Sequence, residues 1–215
     1  MGRQAVRPDS LSTGYERAFI ALVPDATSAS RLASYRCVLP QAGMIARPYQ
    51  PEDLHLTLAF LGHLNCDKAS AILSALNTMA TPLPTLTCIG QAWWPNSQRP
   101  RVHVMRYGQP PALRSLFQSV QSLVKQLALP LDTRPFQPHI TLARIHADPH
   151  HQPTQTTSSP RKTIAEGAQT MLDQNAARVE FNAHMQTIGL FCRNINGGPL
   201  RYRSLGQFPL DAAGS

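Results

Sequence analysis

The feature that most constrains the fold is a short stretch that occurs twice in the chain. "HLTLAFLG" occupies residues 55–62 and "HITLARIH" residues 139–146, with the two leading histidines 84 residues apart. In both copies His and Thr alternate with branched apolar residues, which is the two-residue period of a strand with one polar and one buried face. The sequence therefore predicts two equivalent strands, each with a histidine and a threonine on one face and an apolar back.

The segments around these strands predict an α+β fold. Strands are expected at 17–23, 54–62, 84–94, 101–108, 139–145, 178–194 and 200–210, and helices at 24–39, 66–80, 110–129 and, in a short form, 163–174. Asp25 or Thr27 is the expected N-cap of the first helix, and Asp67 that of the second. This order suits antiparallel strands with helices packed outside. Because one histidine strand lies near the middle of each half, we predict a bilobal, pseudo-symmetric pair of antiparallel sheets around a central cleft.

One domain is expected to hold all of these elements. Residues 17–210 form the predicted bilobal domain, after a disordered leader at 1–16 and before a tail at 211–215. Within the domain, residues 146–176 are rich in Pro, Ser, Thr, Gln and His, which predicts a flexible insertion. The "HADPHH" stretch at its start is interpreted as part of this polar loop rather than as a metal site.

Charge and cysteine content narrow the class of protein. The 215 residues include 20 Lys and Arg against 12 Asp and Glu, and the net charge of +8 is a weak indication of a polyanionic partner such as nucleic acid. The four cysteines are scattered, without a C-x-x-C pair, which indicates neither a structural zinc nor a disulfide framework and favours the reducing cytoplasm. No apolar run approaches the ~18 residues that would span a bilayer, so no membrane association is expected.

The duplicated motif indicates acid–base chemistry. A lone strand histidine is usually structural, but pseudo-symmetry would bring His55, Thr57, His139 and Thr141 around one site. Imidazole titrates near pH ~6.5, so at neutral pH one ring can be neutral and accept a proton while the other is charged and donates one. The threonine hydroxyls can hydrogen-bond phosphate oxygens. The adjacent carboxylates Glu52 and Asp53 would diverge on an extended chain, and no D-x-D pair or Gly-rich phosphate loop occurs, which disfavours two-metal nucleases, glycosidases and nucleoside triphosphatases.

The pair of H-x-T motifs, together with "RAFIALVP" near the start and "RPFQPHITLAR" around the second copy, resembles the two-histidine phosphoesterase superfamily. The branch it resembles is the RNA 2′,3′-cyclic phosphodiesterases, once called 2′-5′ RNA ligases, over residues 17–145 and 179–210. The resemblance implies that His55 donates a proton to the departing ribose 3′ oxygen and that His139 deprotonates the attacking water. Thr57 and Thr141 would hold the phosphate, and the product would be a 2′-phosphomonoester.

The resemblance also implies that Arg144 contacts phosphate. Strict strand alternation puts Arg144 on the face opposite His139, so this role requires a bulge, a twist or the end of the strand. Trp93 and Trp94 could stack on RNA bases, although one of two adjacent strand residues usually belongs to the core. Further phosphate contacts could come from four other arginines, namely Arg99, Arg101, Arg201 and Arg203.

The expected activity is thus that of a monomeric, cytoplasmic enzyme that needs no cofactor and no metal and that acts on RNA or oligoribonucleotide ends with a 2′,3′-cyclic phosphate. Two alternatives stay open. The same site could form 2′-5′ linkages as an RNA ligase, or act on another 2′,5′ or cyclic phosphate. A different class of function is an RNA-binding module whose histidines do not catalyse.

Overall fold

The computed structural model describes residues 14–35, 42–79, 83, 85–149, 181–195, 197 and 199–210. Within these residues the chain forms three α-helices and nine strands, and the predicted α+β class is confirmed. The helices are α1 (Ala26–Ala33), α2 (Cys66–Met79) and α3 (Pro111–Gln126). The strands are β1 (Gly14–Pro24), β2 (Met44–Pro48), β3 (Leu56–Asn65), β4 (Leu86–Trp94), β5 (Val102–Tyr107), β6 (His139–Ala147), β7 (Asn182–Ala183), β8 (Met185–Arg193) and β9 (Tyr202–Pro209).

The strands follow one continuous antiparallel order, β7-β4-β5-β6-β3-β1-β8-β9, with β2 added alongside β6. A single residue pair of the described chain, Leu56 with Ile140, joins β3 to β6. Along this path the sheet has two halves of four strands, with β2 as a fifth strand beside β6, and each half begins at one of the histidine strands. The predicted pair of antiparallel sheets is joined into one sheet, because the two motifs pair with each other at its middle.

The helices and the main core lie on the apolar side of the histidine strands. Leu56 and Leu58 of β3 and Ile140 and Leu142 of β6 are all buried in one cluster, as the alternating pattern predicts. The apolar stripe predicted for α3 packs into the same cluster through Leu113, Leu116, Val120, Leu123 and Val124. The opposite face of these two strands is therefore left for polar side chains. None of the described helices is long and apolar enough to cross a membrane.

Each histidine strand contains a β-bulge at the same place in its motif. In β3 the paired residues step from Thr57 to Ala59 while β1 advances by one residue, and in β6 they step from Thr141 to Ala143 while β5 advances by one. The extra residue is a leucine in both strands. Because a bulge places two residues opposite one, it inverts the alternation of all the residues that follow.

The bulges return the fifth residue after each histidine to the histidine side of the sheet. Both members of each Leu-Ala pair are buried, and the residues that follow, Phe60 and Arg144, are exposed. The bulge required for Arg144 to share a face with His139 is thus present. The equivalent position in the first half is held by an aromatic ring instead of a guanidinium.

The bulged leucines have carbonyl groups that the sheet ladder does not use. The carbonyl of Leu58 accepts a hydrogen bond from the side-chain amide of Gln121 on α3, at 3.1 Å. The carbonyl of Leu142 accepts one from the backbone N–H of Tyr49, at 2.9 Å. Since a buried, unpaired carbonyl is unfavourable, these two donors stabilise the bulges and hence the positions of Phe60 and Arg144.

The structure differs from the sequence prediction mainly at the ends of elements. Asp25 caps α1 as expected, accepting from the Ser28 N–H at 2.7 Å, but the helix ends at Ala33, well before residue 39. Asp67 is not the N-cap of α2: the side chain of Asn65 accepts from the N–H of Lys68 at 2.9 Å.

Several strands also have bounds that the apolar pattern did not predict. β1 begins at Gly14, inside the predicted leader, and β3 continues past Gly62 to Asn65. The strand predicted at 178–194 is divided into β7 and β8, and β2 was not predicted. β6 includes the first two residues of the predicted 146–176 insertion. The rest of that segment from 150 on, with its predicted helix, and most of the leader and the tail lie outside the described residues.

Replacing Gln121 by Leu is expected to destabilise the fold, because the carbonyl of the β3 bulge would lose its donor. The free energy of unfolding should fall by about 1–3 kcal/mol, measured by urea denaturation. Gln118→Leu, at an exposed position on the same helix, is the matched control and should change stability by less than about 0.5 kcal/mol. Equal effects of the two substitutions would contradict a specific role for the Gln121 bond.

Candidate two-histidine active site

The pair Leu56 and Ile140 brings the two motifs together in antiparallel register. Continuing that register by one residue sets His55 across from Thr141 and Thr57 across from His139. Because neighbours along a strand point to opposite faces, the burial of the central pair in the core leaves the other four side chains on the far side. All four are half-buried. We call this surface, with Arg144, the two-histidine face.

Both imidazole rings are held by the same hydrogen bond. The Nδ1–H of His55 donates to the carbonyl of Asp53 at 2.7 Å, and the Nδ1–H of His139 donates to the carbonyl of Gln137 at 2.7 Å. Since a carbonyl can only accept, each bond assigns the proton to Nδ1 in the neutral ring. Nε2 is then the nitrogen that each ring offers for proton transfer.

Burial lowers the pKa of both imidazole rings. Removal of the His55 ring from water, opposed by its bond to Asp53 and aided by the nearby His139, lowers its pKa to about 4. Burial also lowers the pKa of His139, against the effect of its bond to Gln137. The protein alone therefore favours two neutral rings at pH 7, which differs from the sequence expectation of one charged ring. An anion placed between the rings would favour the charged form and raise both pKa values.

Aromatic side chains account for the burial of His55. The ring of Phe19 lies 4.8 Å from the imidazole and that of Tyr202 lies 5.1 Å from it, edge to face. Phe19 also contacts Tyr202 at 5.0 Å and Phe191 at 5.5 Å, so the rings support one another. Phe19 and Tyr202 come from β1 and β9, far apart in sequence, and no motif indicates that they flank a histidine.

His139 has a different neighbour, Trp94, whose ring lies 4.4 Å away in an edge-to-face contact. Trp93 points to the other side of β4, is only 7% exposed and stacks on His103 at 4.4 Å. The expectation that one of the two adjacent tryptophans belongs to the core is therefore confirmed. His103 is buried beneath this stack, which lowers its pKa to about 4.

A hydrogen-bonded chain connects Arg144 to the ring beside His55. The Arg144 Nε–H donates to the hydroxyl of Tyr49 at 3.1 Å, and this hydroxyl lies 3.4 Å from that of Tyr202. Burial raises the pKa of Tyr202 to about 12, so its hydroxyl stays protonated. The guanidinium in one half is thereby positioned relative to the histidine of the other. Sequence reasoning missed Tyr49, because its role depends on β2, which was not predicted.

The remaining sequence candidates fall outside this arrangement or at its border. Arg201 places its guanidinium carbon 4.7 Å from the ring centre of Tyr49, and Arg203 lies 5.8 Å from that of Tyr15. Arg99 and Arg101 are exposed in the connection between β4 and β5. Phe60 was also missed, although its position five residues after His55, matching Arg144, was a usable signal.

Among the residues that the structure describes, no group of three or more His, Cys, Asp or Glu is placed to hold a metal ion. His150 and His151 of "HADPHH" lie outside those residues. The two-histidine face offers instead two imidazoles, two hydroxyls and one guanidinium, which together can accept a proton, donate a proton and bind an anion.

Comparison with known proteins points to one family. The sequence profile described as LigT-like phosphoesterase matches residues 23–104 and 107–200. The chain is 39% identical over 108 residues to the RNA 2′,3′-cyclic phosphodiesterase of Escherichia coli, and the aligned stretch covers 49% of this chain and 57% of that one. It is 34% identical over 95 residues to the enzyme of the same name from Geobacillus stearothermophilus, covering 43% and 30%. The chain thus spans about half the length, or less, of these curated relatives.

A solved structure agrees over a greater length. The crystal structure of E. coli LigT complexed with 3′-AMP superposes with a TM-score of 0.62 at 26% identity, covering 92% of this chain and 99% of that one. A protein of Thermus thermophilus superposes with a TM-score of 0.60 at 22% identity, covering 90% and 97%, which supports the fold alone.

The titration of His55 provides a test of the site electrostatics. Nitrogen NMR of the imidazoles should show His55 as the neutral Nδ1–H tautomer at pH 7, with a pKa near 4 because of burial. Adding inorganic phosphate should raise that pKa, since an anion stabilises the imidazolium. His103, buried beneath Trp93, is the internal control and should titrate at the same pH with and without phosphate. A charged His55 at pH 7 without phosphate would contradict the assigned environment.

Proposed function

The chain belongs to the LigT-like phosphoesterase family, and on that premise we propose that it is a metal-independent RNA 2′,3′-cyclic phosphodiesterase. The observation that carries the proposal is the pairing of the two H-x-T motifs, which sets two imidazoles with equivalent Nε2 nitrogens on one face. The curated relatives named RNA 2′,3′-cyclic phosphodiesterase support the substrate class. The complexes of E. coli LigT with 3′-AMP and with phosphate support a nucleotide phosphate as the ligand.

The reaction needs one proton accepted and one donated. Water attacks phosphorus as its proton passes to Nε2 of His139, and the bond from phosphorus to the ribose 3′ oxygen breaks as that oxygen takes a proton from Nε2 of His55. The products are a 2′-phosphomonoester and a free 3′-hydroxyl. Each proton transfer of this kind typically contributes about 10²–10⁴ in rate.

The groups around the rings suit the phosphate. Thr57 and Thr141 each lie across from the opposite histidine, so that their hydroxyls can donate to the two non-bridging oxygens. Arg144 adds a fixed positive charge on the same face, held by the hydroxyl of Tyr49. These donors are positioned by the backbone of two paired strands, which is more rigid than a loop.

In the proposed reaction, His55 must become protonated when the substrate binds. Burial lowers the pKa of His55 to about 4, so at pH 7 the ring lacks the proton that it has to donate. The negative charge of the bound cyclic phosphate favours the imidazolium. We infer that the acid is loaded when substrate binds, whereas His139, the base, is already neutral.

Phe60 is proposed to bind the terminal base. Its ring is 54% exposed on the two-histidine side, directly across from Phe19, which contacts the ring of His55. An exposed aromatic ring beside a phosphate site suits stacking on a nucleobase, which contributes about 1–3 kcal/mol without requiring a particular base. The asymmetry between Phe60 and Arg144 then matches a substrate with a base on one side and a phosphate on the other.

The setting of the activity is also a proposal. Cys66, Cys88 and Cys192 are free thiols among the described residues, as suits a reducing compartment, and we propose that the enzyme acts in the cytoplasm as a monomer.

Two substitutions test the division of roles. His55→Ala and His139→Ala should each lower kcat for a 2′,3′-cyclic phosphate oligoribonucleotide by about 10²-fold or more. On a substrate with sulfur in place of the 3′ bridging oxygen, His55→Ala alone should regain much of its activity, because a thiolate leaves without protonation. Rates with and without a chelator should agree, and the product should be the 2′-phosphate.

His63→Ala, at an exposed position on the same strand as Thr57, is the control and should keep the wild-type rate. The roles are reversed if His139→Ala is the variant that the thio substrate restores. The catalytic proposal is contradicted if both histidine variants keep wild-type kcat, and loss of activity with chelator would overturn metal independence.

Base stacking on Phe60 has a separate test. Phe60→Ala should lower kcat/KM about 5-fold to 100-fold, as expected for the loss of one base–aromatic contact, while Phe60→Trp should keep most of the activity. Ile89→Ala, which truncates an equally exposed apolar side chain on β4, is the matched control and should have no effect. A wild-type kcat/KM for Phe60→Ala would exclude the stacking role.

A further inference from the structure

A basic cavity of about 330 Å³ lies beside the two-histidine face, where β1 begins, β8 ends and β9 begins. Its size is near the lower end of ordinary small-molecule sites, roughly 300 Å³. Arginines from all three places converge on it, and its walls include Arg17, Arg193, Asn194, Leu200, Arg201 and Tyr202. None of these arginines has a role in the proton transfers proposed above.

The charge of the cavity is only partly balanced by the described part of the protein. The ion pairs among the described residues join Arg134 to Asp132 and His184 to Asp25, so no described carboxylate pairs with an arginine of the cavity. The carboxylate of Asp53 accepts hydrogen bonds from the backbone N–H of Arg201 at 3.0 and 3.2 Å and also interacts electrostatically with Arg201, without forming an ion pair with its guanidinium. Three guanidinium groups that surround one space, without an ion-pair partner among these residues, attract an anion.

The walls of the cavity are held by specific contacts. The side-chain amide of Asn194 donates to the carbonyls of Gly197 and Leu200, at 3.1 and 3.2 Å, and its backbone N–H donates to the carbonyl of Arg201 at 3.0 Å. The guanidinium of Arg201 lies over the ring of Tyr49. These bonds fix the turn between β8 and β9, so the cavity is part of the folded framework.

Arg17 has an unusual backbone conformation. Its φ of +50° lies in the left-handed region that favours glycine, at the point where the pairing of β1 with β3 is irregular. A residue other than glycine is strained there, and such strain often accompanies a functional side chain. An arginine that lines the cavity thus occupies a position where glycine would be unstrained.

The cavity adjoins the histidine that faces the ribose. Tyr202 lines it on one side and has its ring 5.1 Å from that of His55 on the other. Tyr202 therefore connects the cavity to the proposed cyclic phosphate site. Proteins that bind single-stranded nucleic acid combine a positive groove along the backbone with aromatic platforms, and this surface has both.

We propose that the Arg17–Arg193–Arg201 cavity binds the phosphodiester that precedes the terminal nucleotide of an RNA strand. The inference rests on the proposed function and extends it, since it makes an oligonucleotide end the preferred substrate over a mononucleotide 2′,3′-cyclic phosphate. A mononucleotide fills only the two-histidine face; the second phosphate of an oligonucleotide reaches the arginines.

The test compares a mononucleotide 2′,3′-cyclic phosphate with a short oligoribonucleotide that ends in the same nucleotide. Arg193→Gln and Arg17→Gly should each raise KM for the oligonucleotide about 5-fold to 10-fold and leave KM for the mononucleotide unchanged. The dependence of log KM on log salt for the oligonucleotide should become shallower by about 0.7 for each arginine–phosphate interaction that is removed. Arg17→Gly should keep or raise Tm, because glycine relieves the left-handed strain.

Lys125→Gln removes one exposed positive charge at the end of α3 and is the matched control; its KM values should equal those of the wild type. The proposal is overturned if the arginine variants leave the oligonucleotide KM unchanged, or if they raise the KM of both substrates equally. If the wild type hydrolyses no cyclic phosphate, the proposed function fails by itself. In that case the binding of a fluorescent 2′-phosphate oligonucleotide to the same variants tests the cavity proposal. Weaker binding than to the wild type is expected, and unaltered binding would contradict the proposal.

Discussion

The arrangement of the site depends on one backbone contact, the pairing of Leu56 with Ile140. It is the one β-ladder pair between β3 and β6 in the described part of the chain, and it connects the middle residues of the two motifs. Because both side chains are buried in the core, the flanking histidines and threonines are forced to the opposite face. Burial of two apolar residues thus determines where four polar ones meet, and the chemistry of the site follows from the packing of the core.

The two bulges also create a difference between the two halves of the sheet. Leu58 and Leu142 each shift the alternation by one residue, and each has its carbonyl satisfied from outside the ladder, by α3 in one half and by the segment after β2 in the other. The same backbone device therefore presents a ring in one half and a guanidinium in the other. An RNA end, with a base on one side and a phosphate on the other, is unsymmetrical in the same sense.

The sequence predicted the parts of this structure that are local or repeated. The period of two in both motifs identified the histidine faces, and the stripe of α3 identified its buried side, because both patterns are set by the geometry of a single element. Phe19, Tyr49 and Tyr202 were not predicted, since each reaches the site through tertiary pairing of distant strands. From the sequence, a bulge was one of three ways in which Arg144 could share a face with His139. Comparing the two Leu-Ala pairs would have predicted the same bulge beside Phe60.

In the proposed reaction, the enclosure of His55 by Phe19 and Tyr202 would make substrate binding a proton-uptake step. At neutral pH a ring with a pKa of about 4 would gain its proton from solvent when an anion binds, so affinity for the phosphate and acidity of the medium would be thermodynamically linked. Raising the pH would then weaken binding as well as the chemical step. Two aromatic rings that touch no substrate atom in the proposed reaction would in this way set the pH range over which the protein holds a phosphate.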